Sequence, residues 1–402
     1  MPSKLDRVLG ERARQLTGRS RVIVEFYGAP DVRAITAAHG VTLRTLRGRP
    51  AQVAEIANLD LRTLARDPRV KRIVMDRATF ATLERTAAVI GLRSPASTYT
   101  YIPETGRGIG IAVIDSGVNA EHEDFWRSTA GQRVALSKDF TVSGRSSSWT
   151  NVPPRDGYGH GTHVAGIMAG NGYHSYGRRR GLARNAHLVA LKVLDDNGLG
   201  YISSVIDAID YAIANKNALG IRIINLSVGA GVYESYDTDP LTQAAKRAVD
   251  AGIVVVASAG NLGQNAQHEL QSGGVTAPGN APWVLTVGAS SHQGTAARGD
   301  DVVAPFSSLG PTWLDFSAKP DLVAPGVGIE SLTDPHSTLY AELPNLLLDG
   351  LRPSPYKAYL SLTGTSMAAP VVSATVALLL EANPSLTPNA VKAILQYTAQ
   401  TR

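Results

Sequence analysis

Short apolar runs separated by polar, glycine-rich turns set the pattern of this chain from residue 106 onward. Residues 109–114 (IGIAVI), 187–192, 221–226, 253–258 and 284–287 are continuous apolar stretches of the kind buried on both faces of a parallel sheet. Helical periodicity falls between them at 160–169, 201–216 and 240–251. Strands alternating with helices predict right-handed crossovers and a layered α/β domain with a mostly parallel sheet. Near the end, Gly364, Thr365 and Ser366 are helix-start residues, and the run 367–380 behind them is apolar on every face, which predicts a helix buried in a large core. A last helix is expected over 388–396.

The first 80 residues follow a different rhythm. Residues 21–26 (RVIVEF), 41–46 and 70–76 read as strands, and 32–39 and 58–65 as helices, an order that fits a small α+β unit of split β-α-β-β-α-β type. Residues 83–100 lose periodicity and collect Ser, Pro, Thr and Gly. The expected division is an N-terminal extension (1–20), the small domain (21–82), a linker (83–105) and the large domain (106–402).

Composition narrows the picture. The 402 residues, 44% hydrophobic and 18% charged, describe a folded globular chain. No apolar run reaches the ~18 residues of a membrane span, and residues 1–20 have no apolar centre for a secretory signal. The absence of cysteine excludes disulfides, thiol catalysis and cysteine-ligated zinc. The net charge of +5 is uneven: residues 1–93 carry 18 Lys/Arg against 9 Asp/Glu, and residues 94–402 carry 21 against 25. A basic small part beside an acidic large one suggests mutual docking and gives no reason to expect a nucleic-acid or membrane partner.

In an open parallel sheet, working residues lie just past the carboxyl ends of strands. Asp115 directly follows 109–114, and Asn261 closely follows 253–258. Each also has a bland reading, a turn cap for the one and a left-handed backbone site for the other. Asp156-Gly157-Tyr158-Gly159-His160-Gly161-Thr162-His163 places an imidazole at a helix start, where the dipole favours the neutral, base-competent ring. His160 and His163 share a helix face, but Gly161 stands where a zinc-protease motif needs glutamate, so a catalytic metal is not expected, and His163 reads as a packed structural residue. Asp156 is the other carboxylate near His160; Asp115 is preferred as its partner because it ends a strand. The glycines of 106–110 precede their strand, which argues against a nucleotide-binding turn.

Taken together, Asp-Ser-Gly after a strand, His-Gly-Thr-His-Val-Ala-Gly opening a helix, Ala-Gly-Asn-x-Gly after a strand and Gly-Thr-Ser-Met-Ala-x-Pro opening a buried helix resemble the subtilisin-like serine proteases, over roughly 109–396. The resemblance implies a three-layer α/β/α fold and a serine endopeptidase with Asp115, His160 and Ser366 as catalytic triad, Asn261 in the oxyanion hole, and no cofactor for catalysis. It implies a polypeptide substrate held as an added strand between Gly198, Leu199, Gly200 and Ser227, Val228, Gly229, with Leu262, where many relatives carry glutamate, favouring apolar side chains. The small domain resembles the family's ferredoxin-like inhibitory propeptide, implying a secreted, monomeric, self-processing zymogen cut between Leu83 and Ser94. Asp124 matches one ligand position of a structural calcium site whose loop is basic here. Residues 328–360 read as a surface insertion, and the chain stops before the family's usual closing segment, so a C-terminal piece is expected to be missing. A peptide-holding protein without catalysis is the alternative; it would lack a triad residue, and none is lost.

Overall fold

The computed structural model describes residues 4–5, 7–15, 17–45, 50–75, 103–126, 131–141, 155–265, 267–296 and 298–401. The chain divides into two compact units, Met1–Phe80 and Ala81–Arg402.

The first unit is an antiparallel sheet of β1 (Arg19–Phe26), β2 (Val41–Thr45), β3 (Ala51–Ala57) and β4 (Val70–Met75) in the order β2-β3-β1-β4. Alternation along β1 buries Val22, Val24 and Phe26, and these meet Ile35 and Leu64 from the helices Val32–Ala37 and Leu61–Arg66. Two features differ from the expected pattern. Strand β3 is alanine-rich and short of β-branched residues, so the sequence hides it; its register against β1, Arg19↔Ala57 to Glu25↔Ala51, is continuous. Helix Arg7–Arg12 lies within the stretch assigned to an extension, yet Leu9 is fully buried in this core and Ile73 donates its N–H to the Lys4 carbonyl at 2.8 Å. The expected linker up to residue 102, with the processing site expected between residues 83 and 94, lies outside the described residues.

The second unit is built on an eight-stranded sheet. Its strands are β5 (Gly110–Asp115), β6 (Val134–Asp139), β7 (His187–Lys192), β8 (Ile221–Leu226), β9 (Val254–Ser258), β11 (Leu285–Ser291), β12 (Val302–Val303) and β14 (Leu322–Pro325); a separate small pair joins β10 (Ser272–Gly273) to β13 (Leu309–Thr312). The order is β12-β11-β9-β8-β5-β7-β6, with β14 also on β11, and every pairing except β11 with β12 is parallel. Both faces are covered. Along β5, Ile111 and Val113 enter the core shared with helices His160–Ala169 and Thr365–Ala382, while Ala112 and Ile114 enter the core on the opposite face, under helices Ile202–Ala214 and Pro240–Asp250. This is a three-layer α/β/α fold. Helix Thr365–Ala382 is long and apolar enough for a membrane span, but 72% of that stretch is buried inside the protein, as expected of a core helix.

Residues 328–360 are a surface insertion only in their middle, where no residue from 341 to 357 is buried; the two ends are built into the core. Strands β15 (Ile329–Leu332), β16 (Leu347–Leu348) and β17 (Tyr359–Leu362) form an antiparallel sheet ordered β15-β17-β16, and all four residues of β15 are buried against the His160 helix. Residues Ala358, Tyr359 and Leu360 are fully buried as well. Apolar residues spaced through a loop-like stretch rich in Pro, Asp and Ser conceal this packing in the sequence.

Candidate active site

Strands β9, β8 and β5 are neighbours and parallel, so their carboxyl ends open on one edge of the sheet. Asp115 is the last residue of β5, Ser227 follows β8 and Asn261 follows β9. The His160 helix and the Ser366 helix pack against each other on one face.

Asp115 is fully buried, and its Oδ1 lies 2.8 Å from His160 Nδ1 while also accepting the Ser116 N–H at 2.8 Å. An acceptor on Nδ1 assigns that nitrogen the proton and leaves the Nε2 lone pair free. Burial alone pulls the imidazole's pKa down; the Asp115 charge and hydrogen bond, with a contribution from Asp156, reverse this and hold His160 above its ordinary value. Two glycines make the approach. Gly159 precedes the helix at φ 98°, a left-handed angle suited to glycine. At Gly161 an added Cβ would lie 2.1 Å from the Gly117 carbonyl oxygen, so only a bare Cα lets the first helical turn settle beside the Asp115 strand end.

Asp156 does different work from the one weighed for it. Its Oδ1 accepts from Ser116 Oγ and the Gly159 N–H, both at 2.8 Å, and its Oδ2 from the Thr162 N–H and Oγ1, both at 2.7 Å. It therefore ties the turn before His160 to the end of β5, and complete burial pushes its pKa up despite these four bonds. The spacing Asp156 to Gly159 to Thr162 just before a helix was the available signal.

Ser366 occupies the first turn of its helix. Pro370, four residues on, has no N–H to give the Ser366 carbonyl, so the helix leaves that carbonyl free. Ser227 Oγ fills the gap at 2.9 Å, and Ser366 Oγ in turn donates to the Ser227 carbonyl at 3.0 Å. The clasp is itself braced: Asn225 Nδ2 donates to Ser227 Oγ at 3.1 Å, and Ser373 Oγ, two turns down the same helix, donates to Asn225 Oδ1 at 2.8 Å, all three residues being buried. In this state the Ser366 hydroxyl bonds to Ser227 and not to His160; rotation about its side-chain bond is what would redirect it. Nothing in the spacing of Asn225, Ser227 and Ser373 reveals the network beforehand.

Asn261 is exposed but not free to turn. Its Oδ1 accepts from the Thr365 N–H and from Thr365 Oγ1, both at 3.0 Å. The backbone amide can only donate, which assigns the oxygen to that side and turns the Nδ2 donors away from Thr365. Thr365 Oγ1 also accepts the Gly260 N–H at 3.1 Å, holding the loop to the helix start. A locked amide bonded to the residue before Ser366 is suited to stabilising a developing oxyanion.

His163 is fully buried, its Nε2 donating to the Ile329 and Leu360 carbonyls at 3.1 and 2.9 Å. Burial pushes its pKa down to about 3, so it is a neutral packing residue. Of the residues expected to contact substrate, Leu199 and Leu262 are exposed, Val228 is half-buried and Ser227 is buried. Gly198 sits against the Tyr158 ring, where an added Cβ would come within 2.6 Å, and Gly200 pairs with Leu194. Gly229 faces Thr276.

The residues around Asp124 do not fit a cation. Its Oδ1 accepts the His174 N–H and its Oδ2 the Tyr359 hydroxyl, both at 2.9 Å, so each oxygen faces a hydrogen-bond donor. Arg179 already supplies positive charge, with its guanidinium 4.8 Å from the centre of the Tyr359 ring and its Nε 2.6 Å from Glu330. Among the described residues, no group of three or more His, Asp or Glu is arranged to hold a metal.

Comparison with known proteins agrees with this architecture. The chain is similar to the serine protease AprX of Bacillus subtilis (strain 168), at 36% identity over 299 residues covering 73% of this chain and 61% of AprX. It is similar to an extracellular serine proteinase of Thermus sp. (strain Rt41A), at 31% identity covering 86% of this chain and 70% of that protein. It spans only about half of a further relative, Subtilisin-like protease 6 of Arthroderma benhamiae (33% identity, 52% of its length). Among solved structures, sphericase superposes with a TM-score of 0.60 at 30% identity, covering 78% of this chain and 88% of that one. A cold-adapted subtilisin-like serine proteinase does so with a TM-score of 0.56 at 28% identity, covering 79% and 91%. Residues 106–402, the span that holds Asp115, His160, Asn261 and Ser366, match the Subtilase family of peptidases (Peptidase S8), and the chain belongs to that family.

Proposed function

We propose that this chain is a serine endopeptidase that hydrolyses protein substrates through Asp115, His160 and Ser366. The observation that carries the reading is the 2.8 Å contact between the fully buried Asp115 carboxylate and His160 Nδ1, which makes Nε2 a base of raised pKa. In this mechanism Ser366 Oγ leaves the Ser227 carbonyl, gives its proton to His160 Nε2 and attacks the scissile carbonyl carbon. The Asn261 amide and the Ser366 N–H take the negative charge of the tetrahedral intermediate. His160 then returns the proton to the leaving amine, and water, deprotonated by the same imidazole, releases the acyl group from Ser366.

An extended peptide lies as an added strand between Gly198-Leu199-Gly200 and Ser227-Val228-Gly229. Leu262 offers an apolar surface to the side chain before the cut; faster cleavage after Lys or Arg than after Phe or Leu would exclude this part. The Met1–Phe80 unit acts as an intramolecular inhibitor, cut from the enzyme by Ser366 between residues 83 and 94, and the enzyme is secreted and works as a monomer. Similarity to an extracellular proteinase supports the compartment. Casein hydrolysis abolished both by a serine-directed phosphonyl fluoride and by Ser366→Ala is the expected result; hydrolysis surviving Ser366→Ala refutes the reading. Equal clipping of wild type and Ser366→Ala refutes self-processing alone.

A further inference from the structure

Between β15 and β17 the chain forms a short helix, Thr338–Glu342, whose N-cap is Ser337. Ser337 Oγ donates to the Asp334 carbonyl at 2.7 Å and accepts the Tyr340 N–H at 3.3 Å. The next two amides leave this turn altogether: Thr338 N–H donates to the Gly157 carbonyl at 2.9 Å and Leu339 N–H to the Tyr158 carbonyl at 3.0 Å. Those carbonyls belong to the turn that delivers His160. Ser337 is also packed so closely on Gly159 that an added Cβ there would sit 2.4 Å from its Oγ. In the other direction Thr338 Oγ1 donates to the Asp196 carbonyl at 2.7 Å, directly before the substrate-side segment 197–200. The Tyr158 ring closes the triangle, lying against Gly198 on one side and 6.4 Å from the His160 ring on the other. Ser337 and Leu339 are buried.

We infer that the Ser337–Leu339 turn is a positioning element that couples the candidate substrate wall 197–200 to the orientation of His160, with Thr338 as the residue joining the two. This deepens, and rests on, the proteolytic reading above. A peptide docking on the wall presses on Asp196, and through Thr338 the same backbone piece holds the turn that fixes the imidazole against Asp115. From its other side the helix is pinned by Ser331 Oγ, which donates to the His163 carbonyl at 2.7 Å, so looseness in the turn is taken up at His160 itself. The ionisable groups facing His160 are Asp115, Asp156, Tyr158 and His163, and His163 stays neutral.

The test reads His160 without requiring turnover. In the full chain carrying Ser366→Ala, histidine NMR titration, with His160 assigned by its loss in His160→Gln, is compared for Thr338, Thr338→Val and Thr338→Ser. The expected result is a fall of roughly half a pH unit in the His160 titration for Thr338→Val, as its contact with Asp115 loosens, with the serine variant at the parent value. In the active chain Thr338→Val lowers kcat/KM by about 2- to 10-fold, the scale of one hydrogen bond, and moves the acid limb to lower pH. A His160 titration unmoved in folded Thr338→Val overturns the inference, since a merely structural role lowers the melting temperature without moving it. Should the valine variant not fold, Ser337→Ala gives the same readout with the same two outcomes. Wild type that fails to cleave casein sinks the proteolytic reading only; the titration still decides the coupling.

Discussion

The clasp between Ser227 and Ser366 exists because Pro370 lacks an N–H, and this can be measured as a double-mutant cycle. Ser227→Ala removes the hydroxyl that meets the Ser366 carbonyl at 2.9 Å and strands Asn225 Nδ2, whose partner at 3.1 Å is lost. Leaving packed polar groups unsatisfied costs about 1–3 kcal/mol. Pro370→Ala returns an N–H four residues after Ser366 and lets the helix satisfy its own carbonyl. In that background the cost of Ser227→Ala should fall to about 1 kcal/mol, because only Asn225 is still deprived, giving a coupling of roughly 1 kcal/mol. The cycle is run by urea unfolding in Ser366→Ala chains, which retain the carbonyl and cannot digest themselves. Equal costs of Ser227→Ala in the parent and in the Pro370→Ala background would refute the reasoning, since the Ser366 carbonyl would then not be what Ser227 serves.

Asp115→Asn should leave the fold intact and lower turnover by about 10⁴-fold, the scale known for triads of this kind; a loss below tenfold in a peptide assay contradicts the assigned role. Because Asp115 holds the His160 pKa above its ordinary value, kcat/KM should fall as pH drops through that raised pKa, and any residual activity of Asp115→Asn should persist to lower pH; a limb that does not move assigns it to another group. Arg179→Met removes the guanidinium that meets the buried Glu330 carboxylate at 2.6 Å and should cost about 3 kcal/mol, more at pH 8 than at pH 5 because a buried carboxyl that has lost this cation is better tolerated when protonated. Calcium should not restore its melting temperature, whereas recovery with calcium would indicate that Asp124 takes a cation after all. Gly161→Ala sets a methyl group against the Gly117 carbonyl and should abolish activity with a clear loss of stability; a fully active, equally stable variant would contradict the close approach.

What can be read from sequence is whatever one strand or helix carries alone. The runs at 187–192 and 221–226 form strands with those same bounds, and the glycine pattern around His160 opens a helix at that residue. Asp115, at the end of a buried strand, is the carboxylate that meets His160 Nδ1, while Asp156 turns both its oxygens elsewhere. Features made by distant segments meeting are not legible. Asp156 reaches Ser116, Ser373 reaches Asn225, and Thr338 reaches Asp196, each through hydrogen bonds between residues that no periodicity links. The stretch 328–360 misleads in part for the same reason: its middle, 341–357, does lie at the surface, but Ser331, Ser337 and Thr338 hold the His160 helix and its leading turn. At Asp124 a single matching residue suggests a cation, whereas its two oxygens accept from the His174 N–H and the Tyr359 hydroxyl, partners that sequence spacing does not reveal.

The central claim is that Ser366 is the acylated residue and His160 the base that activates it. Its most direct measurement is mass spectrometry of the chain after reaction with a phosphonyl fluoride, the adduct being located by peptide mapping. One phosphonyl group on Ser366, formed in wild type and at least about 100-fold more slowly in His160→Ala, the scale of lost general-base assistance, is the predicted result. A label on another residue, or equal labelling rates in the two chains, would contradict the account.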